Sequence, residues 1–173
     1  GTTPRGVFFR SESVDAVTAK GWDDVWSAGI RTVVDLRRPG ERARDRSPRP
    51  DWLTVVHVDL DGLDNQEFWR EYRDNGLVGT AVYFLPHLAA MPERTGAVLT
   101  ALAEAGDGGV LFHCAGGRDR TGMISMLLLS LAGAEPEAIV DDYLETVRLG
   151  DVRAASANRN NDESLIEELL AEY

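Results

Sequence analysis

The sequence predicts an α/β fold in which helices flank a central, mostly parallel sheet. Three segments, at 31–36, 53–60 and 110–113, are rich in β-branched and apolar residues, as strands are. Segments with apolar residues at helical spacing precede, separate and follow them. This alternation favours a parallel sheet, because parallel strands need crossover connections that are usually helices.

The helices follow from their spacing and their ends. The first is predicted over 20–28, because its apolar residues share one face and Gly29 follows as a C-terminal cap. The longest apolar stretch of the chain lies in the helix predicted at 120–132, which we therefore expect to be buried. Helical spacing predicts the others at 65–73, 80–90, 94–105, 136–147 and 162–172.

The connection between the first two strands, 38–50, is predicted to be a loop rich in arginine and proline. It could be a solvated loop whose arginines pair with Glu41 and Asp45, or a basic patch for a membrane surface, and the sequence favours the first. The arginines concerned are Arg37, Arg38, Arg42, Arg44, Arg46 and Arg49.

Composition limits the class of function. A chain of 173 residues with 43% hydrophobic and 27% charged residues is expected to form one domain, 1–173. The net charge of −11 argues against a nucleic-acid partner, because phosphate backbones need basic surfaces. A single cysteine, no leader peptide and no long apolar run predict a cytoplasmic location without stable membrane insertion, with signal-less export left open. The oligomeric state is not predicted.

One stretch, from His113 to Gly122, combines the groups that phosphate chemistry needs. A strand, a glycine-bearing loop and a helix start follow one another there, so that backbone N–H groups converge on an anion. The only cysteine, Cys114, begins this loop, where a helix N-terminus and neighbouring arginines favour a thiolate nucleophile. Arg120 can bind two phosphate oxygens at once. A cysteine after a strand is usually a small buried hydrophobe, but the complete pattern predicts hydrolysis of a phosphomonoester through a phosphocysteine.

The pattern H-C-x-x-G-x-x-R-T-G resembles the signature of the protein tyrosine phosphatase superfamily. With an aspartate directly before the arginine, it is most similar to the atypical bacterial subgroup that acts on phosphotyrosine and often on phosphoinositides. That subgroup commonly reads H-C-x-x-G-K-D-R-T, and Arg118 replaces its lysine here. Upstream, Phe9-Arg10-Ser11 and residues 29–41, which fit G-I-x-x-V-x-D-L-R-x-x-x-E, are similar to the amino-terminal half of the family. The resemblance implies the cysteine-dependent phosphatase fold.

The signature predicts a separate role for each of its residues. Cys114 attacks phosphorus, while Arg120 and the loop amides hold the phosphoryl oxygens. Thr121 donates its hydroxyl to the departing sulfur or caps the helix, and both roles can hold together. His113 is expected to point away from the pocket and to order the loop. The residues predicted to bind phosphate are Ala115, Gly116, Gly117 and Arg118.

Two further sets of residues are expected around the loop. The resemblance implies that Asp35, Arg37 and Glu41 form a charge network that supports it, and Arg10 is also expected to be supporting. No cofactor is expected, and the three histidines lack the spacing of metal ligands.

The general acid has two candidates. Cleavage of a phosphate ester needs a proton for the leaving oxygen. Asp119, inside the signature, is preferred because the resembled subgroup points to it, and Asp61, after the second strand, is the alternative. For Asp61 and its neighbour Asp59, a polar turn that ends the strand would also explain the sequence.

Residues 61–92 are predicted to contribute a lid. Their first part holds Phe68, Trp69 and Tyr72 among polar residues. A lid would exclude water and set the depth available to substrate. A surface helix docked by its aromatic residues explains the same pattern, and both interpretations stay open.

The expected function is a phosphatase acting on phosphotyrosine or on a broader range that includes phosphoserine, phosphothreonine and phosphoinositide. The alternatives are a phosphoinositide-specific phosphatase and a non-catalytic phosphate-binding module. The complete set Cys114, Arg120 and Thr121 argues against the non-catalytic module, because a binder does not need the nucleophile. A rhodanese-like sulfur carrier would lack the R-T-G helix start, and an arsenate reductase usually needs further cysteines. A phosphorylated protein or a phosphoinositide is the expected partner.

Overall fold

A computed structural model describes residues 5–150. Its strands are β1 (Phe8–Ser11), β2 (Ile30–Asp35), β3 (Thr54–His57) and β4 (Gly109–His113). They form one sheet in the order β1-β4-β2-β3, and every neighbouring pair is parallel. The predicted α/β class is confirmed.

The three predicted strands are present, with the second shortened at both ends. The sequence analysis missed β1, which pairs with β4 from Phe8–Val110 to Ser11–His113. This strand is only four residues long and lies at an edge, half exposed. Its sequence carries no strong alternation, so pairing with the buried β4 is what makes it a strand.

The helices lie close to their predicted positions. They are α1 (Ala19–Ser27), α2 (Pro39–Arg42), α3 (Gln66–Asp74), α4 (Phe84–Ala90), α5 (Pro92–Ala103), α6 (Asp119–Leu131) and α7 (136–150). A short 3₁₀ helix, Ala81–Tyr83, replaces the start of the helix predicted at 80–90. The helix predicted at 162–172 lies outside the described residues.

The prediction that 38–50 is entirely loop was wrong, because α2 lies within it. Pro39 occupies the first turn of α2, where its missing N–H costs nothing. The backbone N–H of Arg38 donates to the Glu41 carboxylate at 3.1 Å, which completes the start of the helix.

The core lies on both faces of the sheet, because successive side chains of a strand point to opposite faces. Val34 and Phe112 belong to a larger cluster with Leu60, Trp69, Val98 and Ile124. Val33 and Leu111 belong to a smaller cluster with Val14, Trp22 and Leu53. The central strands β2 and β4 are therefore buried almost throughout, as strands covered on both faces are.

The carboxyl ends of the parallel strands meet at one edge of the sheet. The loop that follows β4, the segment after β2 and the segment after β3 all begin there. Ligands of open parallel sheets bind at this edge. No helix among residues 5–150 is both long and apolar enough to cross a membrane.

Candidate active site

Cys114 lies directly after β4 at the carboxyl edge of the sheet, and only 2% of it is exposed. The backbone around it is fixed on both sides. Leu36 donates its N–H to the carbonyl of His113, and Ser13 donates its N–H to that of Ala115, both at 2.9 Å. The cysteine is therefore held between the ends of β1 and β2.

His113 lies behind the loop, away from the cavity that Arg120 lines. Its Nδ1–H donates to the carbonyl of Cys114 at 3.0 Å, and its Nε2 lies 3.9 Å from a carboxylate oxygen of Asp35. Burial lowers the pKa of His113, so a neutral ring that fixes the loop backbone is favoured.

Two glycines of the loop differ in their surroundings. Gly117 has φ of +68°, and a Cβ there would lie 2.7 Å from the carbonyl oxygen of Ser11 and from the backbone nitrogen of Glu12. At Gly116 a Cβ would meet nothing within 4 Å. The loop therefore packs on the end of β1 at Gly117, a position where only glycine fits.

Arg120 stands in the first turn of α6 and is held by acidic groups. Its guanidinium donates to both carboxylate oxygens of Glu41, at 2.7 and 2.8 Å, and to Asp61 at 3.1 Å. The hydrogen bonds from Arg120 lower the pKa of Glu41 to about 2 despite burial. Glu41 thus stays ionised and orients the guanidinium, as a two-point carboxylate does.

Asp61 contacts two arginines, since its carboxylate also lies 3.2 Å from Nε of Arg38. Burial nevertheless raises the pKa of Asp61, and the charge of Arg120 opposes that rise. Trp69 fixes the backbone at this point, because its indole N–H donates to the carbonyl of Asp61 at 2.8 Å.

Asp119 lines the same cavity with less support from neighbouring groups. Its Oδ1 is buried and accepts no hydrogen bond from the residues that the structure describes. The nearest cation is Arg118, whose Nε lies 3.8 Å from that oxygen. Burial raises the pKa of Asp119, and the two flanking arginines oppose the rise.

Thr121 is fully buried beside these groups. Its hydroxyl has no hydrogen-bond partner among residues 5–150. The alternative in which Thr121 caps the helix is wrong, because the cap position of α6 is Arg118 and no side chain caps it there. The Thr121 hydroxyl can therefore donate a hydrogen bond to another acceptor.

A charge network lies behind the loop. Arg37 and Asp35, both almost fully buried, are joined at 2.9 and 3.0 Å, and Arg37 also donates to Asp15 at 2.6 Å. Burial opposes ionisation of Asp35, but the bonds from Arg37 outweigh it and lower the pKa of Asp35. Arg10 donates to the Asp142 carbonyl at 2.7 Å and so connects β1 to α7.

The loop arginines pair both within the loop and outside it, since Arg37 binds Asp35 and Arg49 also contacts Asp15 at 3.4 Å. Arg38 contacts Glu41 at 3.0 Å, and Arg49 contacts Asp45. Arg44 and Arg46 are exposed. These contacts agree with the predicted pairing to Glu41 and Asp45.

Asp61, Asp119 and Arg120 line a cavity of about 270 Å³, whereas Gly116 and Gly117 of the loop line a separate one. Residues of the 61–92 segment form much of the wall of the cavity that Arg120 lines. Trp69 and Tyr72 of this segment are buried, and the ring of Trp69 packs on Tyr83 at 5.3 Å. The lining residues are Arg38, Asp61, Leu63, Trp69, Arg73, Val78, Gly79, Tyr83, Asp119 and Arg120. The aromatic side chains of 61–92 therefore dock the segment on the core, as one of the two sequence interpretations holds.

A sequence model described as the tyrosine phosphatase family matches residues 1–172. The chain belongs to the tyrosine phosphatase family. The atypical bacterial assignment made from the signature is thereby supported at the level of the family.

Curated members of this tyrosine phosphatase family are similar over most of the chain. A tyrosine-protein phosphatase of Nostoc commune is 32% identical over 146 residues, which are 81% of this chain and 48% of that protein. Triple specificity protein phosphatase PtpB of Mycobacterium tuberculosis is 29% identical over 170 residues, with 82% of this chain and 61% of PtpB covered. The chain thus spans between 48% and 61% of the length of these two relatives.

Among solved structures, P. aeruginosa TpbA is similar at 19% identity with a TM-score of 0.42, covering 79% of this chain and 67% of TpbA. A second TpbA structure, in complex with pTyr, matches at 18% identity with the same TM-score and the same coverage.

In this member of the tyrosine phosphatase family, sequence analysis missed part of the cavity wall. Arg73 was not singled out, although it follows the buried Trp69 by four residues and so lies on the same helix face. Tyr83 was also missed, because aromatic residues at helical spacing indicate core before they indicate a site. Burial raises the pKa of Tyr83 well above its ordinary range, so its phenol stays neutral.

Proposed function

We propose that the chain is a phosphatase that hydrolyses phosphotyrosine through a phosphocysteine on Cys114. The observation that carries the proposal is the arrangement of three groups at one edge of the sheet. Cys114 ends the central strand β4, a glycine loop follows it, and Arg120 is oriented at the loop's far end by Glu41. A nucleophile, an anion-binding loop and a two-point cation are what phosphoryl transfer requires.

The first step forms a sulfur–phosphorus bond and breaks the bond between phosphorus and the tyrosine oxygen. Cys114 attacks as the thiolate, while Arg120 and the loop amides of 115–118 hold the phosphoryl oxygens. Asp119 donates a proton to the leaving oxygen, so that tyrosine departs neutral. The Oδ1 of Asp119, which accepts no hydrogen bond from residues 5–150, supports this assignment over Asp61, which is held by Arg120 and Arg38. Burial raises the pKa of both carboxyls, as a proton donor requires.

The second step breaks the sulfur–phosphorus bond. Water attacks phosphorus and gives a proton to Asp119, and the sulfur leaves as a thiolate that accepts a hydrogen bond from Thr121. The buried hydroxyl of Thr121, which has no hydrogen-bond partner in the described part of the chain, supports that role. Inorganic phosphate is released, and each group returns to its starting protonation state.

We assign to residues 61–92 the exclusion of water from this reaction. Trp69, Tyr83 and Leu63 give the cavity an apolar wall. An apolar wall beside a phosphate site suits an aryl phosphate, because an aromatic ring gains from leaving water there. This wall favours phosphotyrosine over a hydroxylated inositol ring. One relative is named a triple specificity phosphatase, so phosphoserine, phosphothreonine and phosphoinositide substrates belong in the test.

The test compares the wild-type chain with Cys114→Ser on para-nitrophenyl phosphate, with a metal chelator present throughout. Activity in the wild type and its loss in the variant support the proposal, and an active variant overturns the role of Cys114. Binding of orthovanadate by both proteins, measured in a separate buffer without the chelator because chelators bind vanadate, shows that the site is folded. If both bind the anion and neither hydrolyses the ester, the non-catalytic phosphate-binding alternative replaces the proposal.

Substrate class is then measured at equal concentration on a phosphotyrosyl peptide, a phosphoseryl peptide and a soluble phosphatidylinositol phosphate. We expect the highest kcat/KM on the phosphotyrosyl peptide. A higher value on the inositol lipid would favour the phosphoinositide-specific alternative.

A further inference from the structure

Three arginines line the active-site cavity, and they differ in what holds them. Arg120 pairs with Glu41 and Asp61, and Arg38 pairs with the same two carboxylates. Arg73 also lines the cavity, but its side chain makes no ion pair or hydrogen bond with any residue from 5 to 150. One cation at the cavity is therefore left without an internal carboxylate.

The position of Arg73 is set by the buried side of α3. Trp69, one helical turn earlier, is 4% exposed, donates its indole N–H to the Asp61 carbonyl and packs on Tyr83. Residues four apart share a helix face, so the contacts that dock Trp69 in the wall also present Arg73 to the cavity. Arg73 itself is exposed whereas Trp69 is buried, so Arg73 lies on the solvent side of this wall.

A guanidinium that residues 5–150 leave without an ion pair, in a cavity that Arg120 also lines, is suited to a second anion. Guanidinium binds carboxylate through two parallel hydrogen bonds and is more weakly hydrated than ammonium. The chain carries a net charge of −11, so its overall field disfavours acidic substrates and local cations must offset it. The apolar residues that line the cavity together with Arg120 suit an aromatic ring.

We propose that Arg73 is a specificity-determining residue that binds an acidic side chain next to the phosphotyrosine of a peptide substrate. The proposal rests on the proposed phosphotyrosine phosphatase function and names its preferred substrate. Arg73 acts on substrate binding and takes no part in the chemical step.

The test uses two phosphotyrosyl peptides of equal length that differ only in a Glu or a Gln beside the phosphotyrosine. The measured quantity is the ratio of their kcat/KM values. We expect the wild type to prefer the Glu peptide and Arg73→Gln to lower that ratio roughly 2- to 10-fold, mainly through KM, as the loss of an exposed ion pair predicts. Arg73→Glu should prefer a third peptide that carries Lys at that position.

Arg70→Gln is the matched control, because Arg70 is an exposed arginine of the same helix that does not line the cavity. It should keep the wild-type ratio. If Arg73→Gln lowers kcat/KM for both peptides equally, the charge of Arg73 only stabilises the C-terminal end of α3. The proposal is then overturned. A loss confined to a soluble inositol bisphosphate also overturns it.

Binding of the two peptides to Cys114→Ser, with and without Arg73→Gln, separates this proposal from the catalytic one. If peptide binding depends on Arg73 but the wild type hydrolyses neither peptide, the proposed catalytic function alone is overturned. If the wild type hydrolyses both peptides without preferring the Glu peptide, the proposed role of Arg73 alone is overturned.

Discussion

The carboxylate of Glu41 accepts two hydrogen bonds from the guanidinium of Arg120, at 2.7 and 2.8 Å, across 79 positions of sequence. The pair joins the short helix α2 to the first turn of α6. It aligns the guanidinium before any substrate arrives, and such alignment removes an orientational cost from binding.

Glu41→Gln should lower kcat/KM on an aryl phosphate roughly 10- to 100-fold, because a charged hydrogen bond that orients Arg120 is lost. Steady-state kinetics against Glu71→Gln, an exposed acid of α3, provide the comparison. An unchanged kcat/KM would mean that the loop amides alone orient the phosphate.

The same pair should make stability depend on pH. The pKa of Glu41 lies at about 2 in the folded chain, below its ordinary value of 4.5. The stabilisation is therefore fully present above about pH 4.5 and is lost as pH falls toward 2. Urea unfolding of wild type and Glu41→Gln should differ most near neutral pH and converge at the acid end, and a gap that persists there would contradict the pairing.

Asp119→Asn should lower kcat roughly 100-fold on phosphotyrosine, whose leaving oxygen needs a proton, and far less on an aryl phosphate with an acidic leaving group. Because the working form of Asp119 is protonated, wild-type kcat should fall as pH rises through its raised pKa, and the variant should lack that fall. The pH profiles of Asp119→Asn and Asp61→Asn on both substrates decide the assignment. If the leaving-group dependence follows Asp61, then Asp61 is the acid.

Gly117→Ala should lower kcat/KM at least roughly 100-fold, since a Cβ would lie 2.7 Å from the backbone of β1 at a residue with positive φ. Gly116→Ala is the matched substitution one residue earlier, where a Cβ would have open space. It should retain most of the activity. Equal losses in the two variants would show that the packing of Gly117 on β1 is not what shapes the loop.

Arg37→Met should lower the free energy of unfolding by about 3–5 kcal/mol, because it leaves the buried carboxylate of Asp35 without its partner. Lys20→Met removes one side of an exposed pair with Asp24 and should change stability by less than about 1 kcal/mol. Denaturant unfolding measures both. A small effect at Arg37 would mean that other groups, such as His57 at 3.6 Å, compensate for Asp35.

Local sequence was enough to predict much of the fold. Consecutive apolar residues in β2 and β4 indicate strands buried on both faces, and the spacing in α1 and α6 indicates helices. The two elements that were not predicted are β1 and α2. Each is only four residues long, so its conformation depends on its partners, β4 for the strand and Glu41 for the helix start.

The sequence by itself determined which groups lie at the carboxyl end of β4, because the cysteine, the glycine loop, the arginine and the threonine lie within eight consecutive residues, Cys114 to Thr121. Tertiary structure alone decided what surrounds them. Glu41, Asp61, Trp69 and Arg73 come from three different segments. They meet around Arg120 because parallel strands bring their carboxyl ends to one edge and because buried aromatic residues dock α3 on the core. Distances and burial of that kind have no signature in a linear pattern, since they depend on how separate elements pack.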